Sequence, residues 1–179
     1  MPSAPDSLWV KRTLVFLLVG AALVAGTADA KPADGVTARD LQLQVLTAIN
    51  DLRTSRGLPA LKLNGGLSAA ALGHSQSMAK FGYFSHEGRD GSAFWTRIKP
   101  RYRPLPGSSW GVGENLVWSS PDLSAAEAVQ MWLNSPPHRK NLLNPTWREI
   151  GLGAVRAHAA PGVYDGLDVT IVTADFGVR

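Results

Sequence analysis

The residues best able to do chemistry are three imidazoles and one misplaced acid. His138 directly follows Pro136 and Pro137 in Met131-Trp-Leu-Asn-Ser-Pro-Pro-His-Arg-Lys-Asn141. Proline lacks an N–H and disfavours a helical residue before it, so the helix carrying Met131 and Trp132 should stop here. That leaves His138 on a rigid corner, where an imidazole can be aimed to move protons or ligate a metal. The competing reading is a histidine that hydrogen-bonds locally and holds the corner. Glu114 lies in Trp110-Gly-Val-Gly-Glu-Asn-Leu-Val-Trp118, beside an apolar run, a costly place for an acid unless it is paired. His86 belongs to a polar loop, Tyr83 to Gly91, in which Gly88 and Gly91 allow tight turns. His74 falls at helical spacing with Ala70, Ala71 and Met78 and is expected to be a core or hydrogen-bonding residue, whereas His158 sits in a polar connection and is expected to be exposed. Ser85 and Ser135 each lie near a histidine, but no oriented base or oxyanion hole is specified for either.

Several elements must position these groups. Thr37 and Asp40 form an N-terminal capping pair, and Leu41, Val45, Ile49 and Leu52 recur at helical spacing up to Gly57 and Pro59. Asn64-Gly65-Gly66 is a turn that leads into a second helix, Leu67 to Phe81, closed by Gly82. The alanines of that helix imply close approach to a neighbour. Ser92 is expected to cap a short helix from Ala93 to Ile98. Arg101 to Ser109 reads as an exposed loop and, with Arg97 and Lys99, forms the most basic stretch, most simply a solvated surface. The second half of Trp110 to Trp118 reads as a buried strand. Ser124-Ala-Ala-Glu127 is a capping box opening a helix through Leu133. Ile150 to Val155 and Val169 to Phe176 are strands, antiparallel because no crossover helix fits between them. One α+β domain over residues 37–179 is the sum.

Composition excludes several functions. The chain of 179 residues has no cysteine, which removes disulfides, thiolate metal sites and cysteine nucleophiles. A net charge of +4 permits contact with anionic surfaces, but there is no long basic block and no nucleic-acid motif. Residues 1–30 read as a secretory signal peptide: Lys11 and Arg12, an apolar run from Leu14 to Gly26, then Ala28-Asp29-Ala30. Residues 31–36 form a flexible lead-in. The expected product is secreted or periplasmic, monomeric, and without a membrane span after cleavage.

Five ordered stretches carry a family resemblance: Phe84-Ser-His-Glu-Gly-Arg-Asp-Gly91, Gly113-Glu-Asn-Leu116, Trp132-Leu-Asn-Ser-Pro-Pro-His-Arg-Lys-Asn-Leu-Leu-Asn-Pro145, Ile150-Gly-Leu-Gly153 and Thr173-Ala-Asp-Phe-Gly177. Together they resemble the CAP superfamily (SCP-like extracellular domains), in its cysteine-free bacterial branch. The resemblance implies an α-β-α sandwich, with a small antiparallel sheet between helical layers. It also implies a cleft with two histidines and two acids that in some members holds a divalent cation such as zinc. Carried over, His86 and His138 match the histidines and Glu114 matches the glutamate of the Gly-Glu-Asn motif. The fourth member departs from the pattern: Trp132 is followed by Leu133, Asn134 and Ser135, with no acid. Glu87, next to His86, is the acid that could stand in its place; Asp175 is a further acid in a family motif, and either could support the ligands by a hydrogen bond. Pro137, where glycine is usual in that branch, stiffens the approach to His138.

These residues imply a binding module that holds a divalent metal through His86, His138 and Glu114 and takes a lipid, a cell-wall polymer or a protein. The alternative is a metal-dependent hydrolase of peptides or esters with Glu114 as base. Phe81, Tyr83, Phe84, Phe94 and Trp95 cluster near His86 in sequence. They either line an apolar cleft for an amphipathic ligand or, as most aromatics do, fill the core.

Overall fold

A computed structural model of the chain describes residues 37–179. The expected signal peptide and lead-in lie outside the described residues. The first helix, α1, spans Ala38–Thr54, and the Thr37/Asp40 capping box is formed as its spacing predicts. Leu41, Val45, Ile49 and Arg53 are its buried stripe. Arg53 is fully buried and donates to the carbonyls of Pro59, Leu142 (2.7 Å) and Asn144, fastening the end of α1 to a segment almost ninety residues away. The two-residue strand β1, Lys62–Leu63, follows, and Asn64 caps α2, Gly65–Phe81. Gly82 ends α2 in the left-handed conformation that glycine adopts without cost.

The remaining elements are α3 (Phe94–Ile98), β2 (Gly111–Ser119), α4 (Ala125–Asn134), α5 (Pro136–Leu142), β3 (Glu149–Ala157) and β4 (Val169–Val178). The strands form one sheet in the order β1-β3-β4-β2. The three long strands are antiparallel, as expected, while β1 adds a short parallel pairing to β3. Side chains alternate between faces. Ile150, Leu152, Ala154, Val172, Ala174 and Phe176 join α1 and α4 in the larger core. The opposite face carries α2 and α3, giving the α-β-α sandwich.

Register decides what that second face holds. Gly151 pairs with Asp175, and Asp175 with Glu114; one row on, Gly153 pairs with Thr173 and Thr173 with Leu116. The two glycines let α2 rest directly on β3: a Cβ at Gly151 would lie 2.1 Å from the backbone of Leu67 and Ser68, and one at Gly153 2.2 Å from the backbone nitrogen of Leu72. Ser75 fixes the approach by donating to the Gly153 carbonyl at 2.9 Å. The alanine-rich helix therefore makes the close contact its composition implies.

Three local expectations are corrected. Pro136 and Pro137 end α4 but also start α5, because proline is favoured in a first helical turn, so His138 stands on a short helix rather than a bare corner. Ala93, not Ser92, is the N-cap residue of α3; the Ser92 N–H is held by Asp90. In the basic loop Tyr102 is fully buried, its hydroxyl donating to Glu149 at 2.6 Å.

Candidate functional site

The site lies where the outer strand β2 meets the loop before α3 and the start of α5. Glu114 points from β2 toward the α2/α3 layer with only 1% of its side chain exposed. It is paired, as its apolar setting requires. One carboxylate oxygen accepts from His86 Nδ1 at 2.7 Å, and the other is bound by the Arg97 guanidinium of α3. A second Arg97 nitrogen donates to the His86 carbonyl at 2.9 Å, so one arginine holds both the acid and the histidine loop. With Nδ1–H facing Glu114, His86 keeps its Nε2 lone pair free.

His138 reaches the same cleft from α5. Its ring centroid lies 6.1 Å from that of His86, with the planes at 51°. Asn115 donates to the His138 carbonyl, Asn141 donates to the Glu114 carbonyl and to Asn115 Oδ1, and Trp132 Nε1 donates to the Leu116 carbonyl. These side chains stitch α4 and α5 to β2. Both imidazoles are pushed toward the neutral form: burial acts first on each, then Arg97 on His86 and His86 on His138.

The two further acids, Glu87 and Asp175, part company. Glu87 is exposed and directs no side-chain bond at His86. Asp175 is fully buried directly across the ladder from Glu114, and neither of its carboxylate oxygens has a partner among the described residues. Burial pushes its pKa up to about 7, against the opposing pull of Arg97 and then His86. A raised carboxyl pKa favours folding below the unfolded value and penalises it as pH climbs through the folded one, here between 3.8 and about 7. Asp175→Asn should therefore stabilise the protein at pH 8, by up to about 4 kcal/mol, and confer little at pH 4. Denaturant unfolding of wild type and variant across this range checks it. The difference between the two is needed because buried His74, with its pKa lowered to about 4, adds an opposite slope.

Two imidazoles are the donors on offer to an ion. Zn–N bonds of about 2.0–2.1 Å put each ring centroid about 3.2 Å from the metal, so a tetrahedral ion holds two ligating rings about 5.2 Å apart. The observed 6.1 Å is wider, and the rings must close by about 1 Å to share such an ion. Glu114 orients His86, both of its oxygens being engaged, and among the described residues no set of three His, Asp or Glu side chains is placed to hold an ion.

His74 is buried and donates through Nε2 to the Ser85 carbonyl at 2.8 Å, and His158 is exposed beside Asp168, both as expected. The five aromatics near His86 divide: Phe81, Phe84 and Trp95 are exposed, while Tyr83 and Phe94 are partly buried and pack against the core. Phe84 joins Leu116, Met131, Trp132 and His138 in a mainly apolar groove of about 270 Å³. Arg97 is the functional residue that sequence reasoning missed, having been read only as part of a basic surface.

The model of the cysteine-rich secretory protein family (CAP) matches residues 46–175. The "Uncharacterized membrane protein YlbC" of Bacillus subtilis (strain 168) is 32% identical over 115 residues, which are 64% of this chain and 32% of that protein. The "Uncharacterized protein YkwD" of the same strain is 31% identical over 119 residues, 64% of this chain and 42% of that one. The chain thus spans less than half the length of either curated relative. Among solved structures, an extracellular protein containing an SCP domain from Bacillus anthracis strain Ames superposes with a TM-score of 0.61 at 28% identity, over 79% of this chain and 41% of that one. An outer surface protein from Borrelia burgdorferi shares the fold, with a TM-score of 0.60 at 22% identity over 80% and 96% of the two chains.

Proposed function

The chain belongs to the cysteine-rich secretory protein (CAP) family, and from that premise we propose that it is an exported binding module. Its ligand site is the His86/His138 cleft together with the apolar groove beside His138. The observation that carries this reading is the approach of the His86 ring to His138, which itself lines an apolar groove, while Glu114 is tied to Arg97 and His86. A base must be free to take a proton, and Glu114 has no free oxygen. An apolar groove with a polar edge suits an amphipathic ligand, a lipid or the apolar side of a wall polymer or protein. Export is supported by the extracellular and outer-surface descriptions of the structural relatives and by the signal-like leader.

His86 and His138 are the residues that would hold a divalent cation. When bound, such an ion would polarise a water or a ligand oxygen. His86 Nε2 is preset for this role by the hydrogen bond at Nδ1, which fixes tautomer and ring orientation. Calorimetric titration of zinc into the folded protein should show saturable binding, weakened at least about tenfold in His86→Ala and in His138→Ala, since each removes one of two firm ligands. No binding by the wild type, or equal binding by all three, would sink the cation site. Saturable lipid binding that survives His86→Ala would place the ligand in the groove alone.

The second reading is a metal-dependent hydrolase of peptides or esters using His86, His138 and Glu114. The Glu114–His86 hydrogen bond favours it, because the same pairing raises imidazole basicity in catalytic metal sites. It requires turnover that a chelator abolishes.

A further inference from the structure

A second pocket, of about 240 Å³, lies between α2 and the loop before α3. Its floor is cleared by small α2 residues: Ala69, Ala70 and Gly73 line it, and a Cβ at Gly73 would meet nothing within 4 Å. Its walls include three arginines, Arg89 from the loop and Arg97 and Arg101 from α3 and the turn that closes it, with Ser77 and Ser92. No acid lines it. Arg97 is balanced by Glu114, but Arg89 and Arg101 form no ion pair among the described residues. Arg89 stacks on Phe81, its guanidinium carbon 4.2 Å from the ring centroid, which orders the side chain without neutralising it. The Nε of Arg97 is buried without a partner. Arg89 and Arg101 are exposed and carry charge that no neighbouring acid offsets, so the mouth of the pocket is electropositive. Guanidinium forks match oxyanions in geometry as well as charge, and forks arriving from the two sides of the mouth can clasp one between them.

We propose that this pocket is a phosphate site, taking the phosphate of a phosphomonoester between Arg89 and Arg101, with Arg97, already tied to Glu114 and the His86 carbonyl, behind them. It adjoins the His86/His138 cleft through Arg97 but does not depend on it. The ligand recognised is the phosphate group itself, whether on a lipid head group or on a soluble molecule.

The test is calorimetric titration of inorganic phosphate at low ionic strength into the wild type, Arg89→Gln, Arg101→Gln and Arg103→Gln. Arg103 belongs to the same basic stretch but lines a different groove, beside Trp95. One saturable site is expected in the wild type, about tenfold weaker in Arg89→Gln and Arg101→Gln, as fits the loss of one charge-assisted contact, and within about twofold of wild type in Arg103→Gln. Phosphatidylcholine vesicles with and without phosphatidic acid form the second arm. Capture by the phosphatidic acid vesicles that is lost in Arg89→Gln and Arg101→Gln assigns the site to a lipid head group. Phosphate binding without vesicle capture assigns it to a soluble phosphomonoester. Both outcomes uphold the site. Absence of saturable phosphate binding in the wild type, or equal weakening by Arg103→Gln, overturns it.

Discussion

Gly151→Ala should cost about 3 kcal/mol of stability, a large share of the roughly 5–15 kcal/mol that holds a domain folded. The added methyl would lie 2.1 Å from the backbone of Leu67 and Ser68, where no side-chain rotation can relieve it. Only movement of α2 away from β3 would make room, and α2 is held there by Ser75 and by the matching contact at Gly153. Gly73→Ala, on the same helix but facing open space, is the control. It should gain up to about 1 kcal/mol from the better helix propensity of alanine. Urea unfolding of the two variants beside wild type checks the contrast; equal, small effects would mean that α2 does not rest on the sheet as described.

Arg97→Ala carries the second large effect. Arg97 is the cation facing two buried carboxylates that share one row of the β2/β4 ladder, Glu114 and Asp175. Removing one partner from a buried pair leaves the other charge uncompensated, at a cost of about 3–5 kcal/mol. A loss of that size should lower the melting temperature by about 10 °C or more at neutral pH. The deficit should shrink as pH falls and the orphaned carboxyls take up protons. Adding Asp175→Asn to Arg97→Ala should recover part of the loss, because the buried carboxyl, deprived of Arg97, must take up a proton on folding at neutral pH and the amide need not. A strictly additive double mutant would mean that Arg97 and Asp175 do not interact.

What could be read from the chain was what is local or repeated. Thr37 with Asp40 and Ser124 with Glu127 announce helix starts because both partners of each capping bond lie three residues apart. Periodicity exposed α1, and strand alternation exposed β3 and β4. The Pro136-Pro137 pair was half legible: proline forbids the preceding helical residue and favours a new first turn, and the sequence showed only the stop. Glu114 could be flagged as needing a partner, but Arg97 could not be named, since a five-residue helix offers no periodicity and the pairing spans seventeen residues. Asp175 and Glu114 became neighbours only once the register of β2 on β4 was known. Which of the aromatics near His86 reach the core was hidden for a similar reason. Hydrophobicity says that a ring prefers burial, but whether a loop residue reaches the core depends on where the loop is carried.

The bonds that stitch α4 and α5 to β2 have a consequence beyond holding His138. β2 is an outer strand, and an outer strand nine residues long is an invitation to a foreign strand. The Glu114 and Leu116 carbonyls are already taken by Asn141 and Trp132. The opposite border of the sheet is β1, only two residues long. Both borders are thus guarded against backbone pairing, one by side-chain donors and the other by brevity. A foreign strand laid along the middle of β2 would first have to displace Asn141 and Trp132, which raises the cost of lengthening the sheet there.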